Sequence, residues 1–201
     1  MPLKSLNVQM VYKIEVMSRE DGYKIRNKEG IHFITFAVVE WIDVFTRKAY
    51  RDIVLESIRY CQKEKGLELY CWCLMSNHIH MIVSAKENNI SDILRDFKKF
   101  TSKKLLSDIE ANEKESRRIW MLELFAKAGE ANSRNKRYQF WRQDNHPKEL
   151  ITENFTRQKL DYIRHNPVEA GIVEKAEEYL YSSAKDYLTN RKGLLEIKFL
   201  F

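Results

Sequence analysis

Two spacings of apolar residues alternate along this chain and predict its elements. Residues 32–39 (HFITFAVV) are dense in aromatic and β-branched side chains and follow the turn-like Asn27-Lys28-Glu29-Gly30, which predicts a strand. Over residues 47–65, Ala49, Ile53, Val54, Ile58 and Cys61 recur at helical spacing, and Gly66 supplies a stop. Residues 67–74 form a continuous apolar run, and a second run opens at Asn77 after only Met75-Ser76; two strands joined so closely predict an antiparallel hairpin. Residues 90–109 are amphipathic, with Ile90, Ile93, Leu94, Phe97, Leu105 and Ile109 on one side and Arg95, Lys98, Lys99 and Lys103 on the other. Further helices are predicted over 113–127, 155–165 and 175–188, a short strand over 138–142, and an apolar tail over 194–201. The helix over 155–165 is expected to end before Pro167, because the residue preceding a proline is disfavoured in the α region. This order predicts an α+β protein: a ferredoxin-like β-α-β-β-α-β core with a mostly antiparallel sheet, helices on one face, and additional C-terminal helices.

Size and charge narrow the class. At 201 residues and 44% hydrophobic, the chain suffices for one domain with a full core. Its 35 Lys+Arg against 29 Asp+Glu favour a polyanionic partner. Three cysteines, Cys61, Cys71 and Cys73, are too few and odd in number for a disulfide framework, so a reducing cytosol is expected. No segment has the length of a membrane span or the uninterrupted apolar stretch of a secretory signal.

The candidate chemistry lies in Asn77-His78-Ile79-His80-Met81-Ile82-Val83. On a strand the side-chain period is two, so His78 and His80 project from one face with their imidazoles side by side, a metal-binding arrangement. An H-x-H pair arises by chance in about one chain of this composition in ten, so it gains weight only from a second element. That element is Tyr162-Ile163-Arg164-His165-Asn166-Pro167, in which Tyr162 and Asn166 lie about one helical turn apart. Two imidazoles and one amide oxygen make a three-ligand site with open positions for water or a phosphate oxygen. A phenol with an ordinary pKa near 10 is ionised at neutral pH only to about one part in a thousand, a deficit of roughly 4 kcal/mol that a polarising cation helps to offset.

Cys73-Leu74-Met75-Ser76-Asn77-His78-Ile79-His80-Met81-Ile82, followed far downstream by Leu160-Asp161-Tyr162-Ile163-Arg164-His165-Asn166-Pro167-Val168-Glu169-Ala170-Gly171-Ile172-Val173, resembles the HUH-type single-tyrosine transposases, in particular the REP-associated tyrosine transposases of bacteria. The resemblance implies that His78, His80 and Asn166 bind a divalent metal, commonly Mg2+ or Mn2+. It implies that Tyr162 cleaves single-stranded DNA through a 5′-phosphotyrosine link, and that the released 3′-hydroxyl permits joining. The expected substrate is hairpin-bearing repeat DNA, the expected location the bacterial cytoplasm at the nucleoid, and the expected state a monomer or homodimer. Residues 1–16 are then a possible N-terminal extension and about 112–135 a helical insertion within a single domain. The position of Arg164 is often His in the family, so it is given no catalytic role.

For DNA binding the candidates are Arg95, Lys98, Lys99 and Lys103 on the basic helix face, with Arg137, Trp141 and Arg142 from the stretch 134–142 that interleaves cations with aromatics. His32 and Glu40 are the groups of the first strand region that could approach the metal, and His146 and His165 are expected to be structural. The rival readings are a non-catalytic nucleic-acid-binding module whose Cys71-x-Cys73 and His78-x-His80 hold a structural zinc, and a domesticated, inactive transposase fold.

Overall fold

A computed structural model describes residues 25–87, 89–132, 137–143 and 147–201. The elements are β1 (His32–Ala37), α1 (Lys48–Lys65), β2 (Leu67–Leu74), β3 (His78–Ala85), α2 (Ile90–Ala111), α3 (Arg118–Glu130), β4 (Lys148–Glu149), α4 (Glu153–Glu169) and α5 (Ala184–Leu188). The strands form one sheet in the order β2-β3-β1-β4, and every pairing is antiparallel. This is the predicted ferredoxin-like arrangement.

The two faces of the sheet carry different cores. Ile34 and Phe36 of β1, Leu67, Leu69, Trp72 and Leu74 of β2, and Ile79, Met81 and Val83 of β3 face α1 and α2 and join the main core. The opposite face holds a smaller cluster of Phe33, Cys71, Cys73 and Ile82, covered by Leu160 and Ile163 of α4. The helices are therefore not confined to one face: α4 seals the side that bears the histidines.

Several boundaries differ from expectation for identifiable reasons. Residues 138–142 are not a regular strand, because Phe140 and Trp141 are both buried and a one-sided strand cannot bury consecutive side chains. They meet the end of β1 in a single bridge, Val38 opposite Trp141, while the two-residue β4 pairs with the start of β1. Helix α4 runs through Pro167. The proline lies in the last turn, where few backbone bonds remain to be lost. The actual stop is Gly171, at φ 69°: the Gly171 N–H donates to Val168 O and the Ile172 N–H to Pro167 O, the two bonds of a Schellman closure. Residues 175–188 contain only a helical turn at Ala176–Glu178 and the short α5, because Leu74 N–H donates to Tyr181 O and Ser183 N–H to Trp72 O, drawing this stretch against the free edge of β2. Helix α3, inside the expected insertion, packs Met121 and Phe125 into the main core. The expected extension over residues 1–16 lies outside the described residues.

Candidate active site

The site begins with strand register. Thr35 of β1 is opposite His80 of β3, and the Thr35 Oγ1 lies 2.8 Å from His80 Nδ1. His78 and His80 project from the same face, with ring centroids 4.6 Å apart. Phe33 stacks on His80 at 5.6 Å, so the second imidazole is held between a threonine and an aromatic ring. His32, by contrast, is opposite Val83 and belongs to the other face, where its Nδ1 bonds Gly30 O; it cannot join the pair.

The tautomer of His78 follows from its neighbour. Asn77 Nδ2 donates to Trp41 O and to Asp43 Oδ1, both at 3.1 Å, so its amide oxygen is the atom 2.7 Å from His78 Nδ1. An amide oxygen only accepts, hence Nδ1 carries the proton and Nε2 presents a lone pair. Burial pushes the His78 pKa down to about 4 against the opposing charge of Asp43. Burial, reinforced by the charges of His78 and Lys159, holds His80 well below its ordinary value. Both rings are thus neutral at physiological pH, the form a metal requires.

Helix α4 brings Tyr162 to this pair. Thr152 caps the helix by accepting the Phe155 N–H, and Leu160 and Ile163 bury its apolar stripe against β2 and β3. The face between those anchors places Tyr162 Oη 3.5 Å from His80 Nε2, with the two rings 5.2 Å apart. Tyr162 retains 38% exposure. Asn166 follows one turn later on the same helix, partly buried.

Lys159 completes the cluster and was not among the predicted residues. Its Nζ lies 5.6 Å from the Tyr162 ring centroid and 5.2 Å from that of Phe33. The signal was available, because Lys159 and Tyr162 are three apart on one helix and so share a face. Trp41 was also missed. Its ring meets His78 edge-on at 5.7 Å, and no periodicity could reveal this, because Glu40 and Trp41 adopt consecutive left-handed conformations at φ 52° and 53°.

The donor set fits a hard or borderline divalent cation. Among the described residues no group of three or more His, Cys, Asp or Glu converges; Asn166, one turn past Tyr162, offers a neutral amide oxygen. The structural-zinc alternative meets the same obstacle. Cys71 receives a bond from Ser183 Oγ, its thiol pushed up to about 12 by burial, and the Cys73 thiol points to Met75 Sδ.

The predicted DNA-binding residues do not form one surface. Arg95, Lys98, Lys99 and Lys103 lie on α2, across the sheet from the histidines. Arg95 is paired with Asp92, and Lys98 Nζ donates to Arg142 O at 2.6 Å, a bond inside the fold. Lys99 and Lys103 instead line an open groove of about 660 Å³ between α1 and α2. Trp141 is 4% exposed and its indole N–H donates to Thr101, so it is a core residue, not a stacking platform. Arg137 lies over Tyr138, and the Arg142 guanidinium lies 5.7 Å from the Trp41 ring. His165 bonds Asp161 O, and Arg164 pairs with Asp161 while covering Tyr187, in keeping with structural roles. His146 lies outside the described residues.

Comparison with known proteins bears on the family and the fold. The family model for the IS200-like transposases matches residues 29–155. A solved structure of a REP-associated tyrosine transposase bound to a REP hairpin superimposes with a TM-score of 0.58, at 17% identity, covering 92% of this chain and 94% of the other. No curated protein matches the chain. Among the described residues, no helix is long and apolar enough to cross a membrane.

Proposed function

Given that the chain belongs to the IS200-like transposase family, we propose that it nicks and rejoins single-stranded DNA carrying hairpin repeats, with Tyr162 as nucleophile, in the manner of the REP-associated branch. The observation that carries this reading is the approach of Tyr162 Oη to within 3.5 Å of His80 Nε2 across 82 positions of sequence.

Tyr162 Oη attacks the scissile phosphorus. A phosphorus–phenol oxygen bond forms and the bond to the 3′ oxygen breaks, leaving a 5′-phosphotyrosine and a free 3′-hydroxyl; the net proton transfer is from phenol to 3′ oxygen. One ester bond replaces another, so reversal by the 3′-hydroxyl of a second strand joins DNA without an external energy source. The neutral imidazoles of His78 and His80, with Asn166, would hold a divalent cation of the magnesium or manganese kind, which supplies polarisation of a phosphate oxygen when bound. Thr35 and Phe33 keep His80 oriented, and Asn77 keeps His78 in its Nε2-presenting tautomer. The Lys159 ammonium, on the Tyr162 side of the pair, supplies positive charge beside the phosphoryl group on which negative charge builds up.

The test is a covalent adduct. Wild type incubated with hairpin-bearing single-stranded DNA and magnesium should give a protein–DNA species on a denaturing gel, and Tyr162→Phe none, a loss of at least about a thousandfold. An undiminished adduct in the Phe variant would overturn the assignment.

A further inference from the structure

We infer that Trp41 is a stacking platform for the nucleobase immediately 5′ of the scissile phosphate, the one that carries the 3′-hydroxyl leaving group. This rests on the nicking reading above.

The histidine pair has two flanks. Tyr162 approaches His80 on one, and Trp41 meets His78 on the other. Displacement at phosphorus runs in line, with nucleophile and leaving oxygen on opposite sides. A phosphate held at the pair and attacked from the Tyr162 side therefore directs its 3′ leaving group toward Trp41. The indole is 42% exposed, although tryptophan is a side chain that folding normally hides.

Its backbone is held in a conformation that a free chain avoids. Glu40 and Trp41 are the only described non-glycine residues with positive φ, and each such residue is strained. Strain of this kind persists where surrounding contacts impose it, and here Asn77 Nδ2 grips Trp41 O while the same amide's oxygen fixes His78. One side chain thus sets both the ligand and the platform. The Arg142 guanidinium, 5.7 Å from the Trp41 ring, brings positive charge to the same flank, suited to the backbone phosphate of a stacked nucleotide. An aromatic face beside a cation is the general means of holding unpaired bases without reading their identity.

Trp41→Gly suits the test because glycine tolerates φ 53°, so the ring is removed while strain is relieved. Thermal unfolding of this variant should occur at or above the wild-type temperature. Its affinity for a fluorescent fifteen-residue oligothymidylate, read by anisotropy, should fall about tenfold, while its affinity for an abasic sugar–phosphate chain of equal length stays unchanged. Trp41→Tyr should recover most of the loss. On a hairpin substrate whose nick has been mapped, one abasic nucleotide just 5′ of the nick should abolish the difference between wild type and Trp41→Gly, and one just 3′ of it should leave the difference intact. Equal losses on the oligothymidylate and abasic chains, or no loss on either, would overturn the platform. Base-dependent loss with no nick in wild type would instead overturn the nicking reading and leave Trp41 a single-strand contact, without its place beside a leaving group.

Discussion

The two faces of the sheet use the same strands for opposite ends. Toward α1 and α2, alternate residues of β1, β2 and β3 are apolar save the buried His32, and Phe36 is fully buried with its ring stacked on Phe97 at 5.7 Å. Toward α4, the same alternation presents Thr35, His78, His80 and Ser84 among a few apolar neighbours. Hydrophobic burial scales with area, so the larger core carries most of the folding free energy and the other face can hold desolvated imidazoles and a partly exposed tyrosine. The contrast shows where a substitution should unfold the protein and where it should only silence it.

The sharpest way to break the contrast is to truncate one phenylalanine on each face. Phe36→Ala should cost about 3–5 kcal/mol in urea denaturation, because it empties the main core. Phe33→Ala should cost less, yet slow adduct formation more per folded molecule, because its ring lies against both His80 and Tyr162. Equal ratios of stability to activity in the two variants would erase the division. A smaller effect is expected from Lys159→Met, which should slow the adduct about tenfold, roughly 1.4 kcal/mol, while leaving the melting temperature unchanged; a lowered melting temperature with an undiminished rate per folded molecule would make Lys159 merely structural.

The gentlest probe is acid. Unfolded histidines protonate near pH 6.5, whereas burial holds folded His78 neutral down to about 4 and His80 neutral well below its usual range. The unfolded state therefore binds more protons in that window, and stability should be complete above about pH 6.5 and fall as pH drops toward 4, by at most about 1.4 kcal/mol per pH unit for each histidine. In urea titrations, His78→Gln should lessen this slope between pH 6.5 and 4, leaving the share that His80 contributes.

Much of the frame was readable in advance. The limits of β2, the Gly66 stop after α1 and the shared face of His78 and His80 all follow from local spacing, and local spacing is what a strand or a helix obeys. Errors fell where a distant partner overrides a local rule. Pro167 did not end α4, since Gly171 offered a better closure two residues past the helix. Trp141 looked like a nucleic-acid platform by composition, but Thr101 and the core claim it; Trp41 looked like nothing and stands beside the histidines.

The chain by itself determined the class of fold, the paired imidazoles and the one-turn spacing of Tyr162 from Asn166, because each depends on periodicities of two or 3.6 residues. Only the tertiary structure decided that α4 crosses to the histidine face and carries Tyr162 and Lys159 with it, that His32 turns away, and that Asn77 selects the tautomer of His78. Those outcomes depend on which face a helix packs against and which buried polar group finds a partner, and both are settled by contacts between residues far apart in sequence.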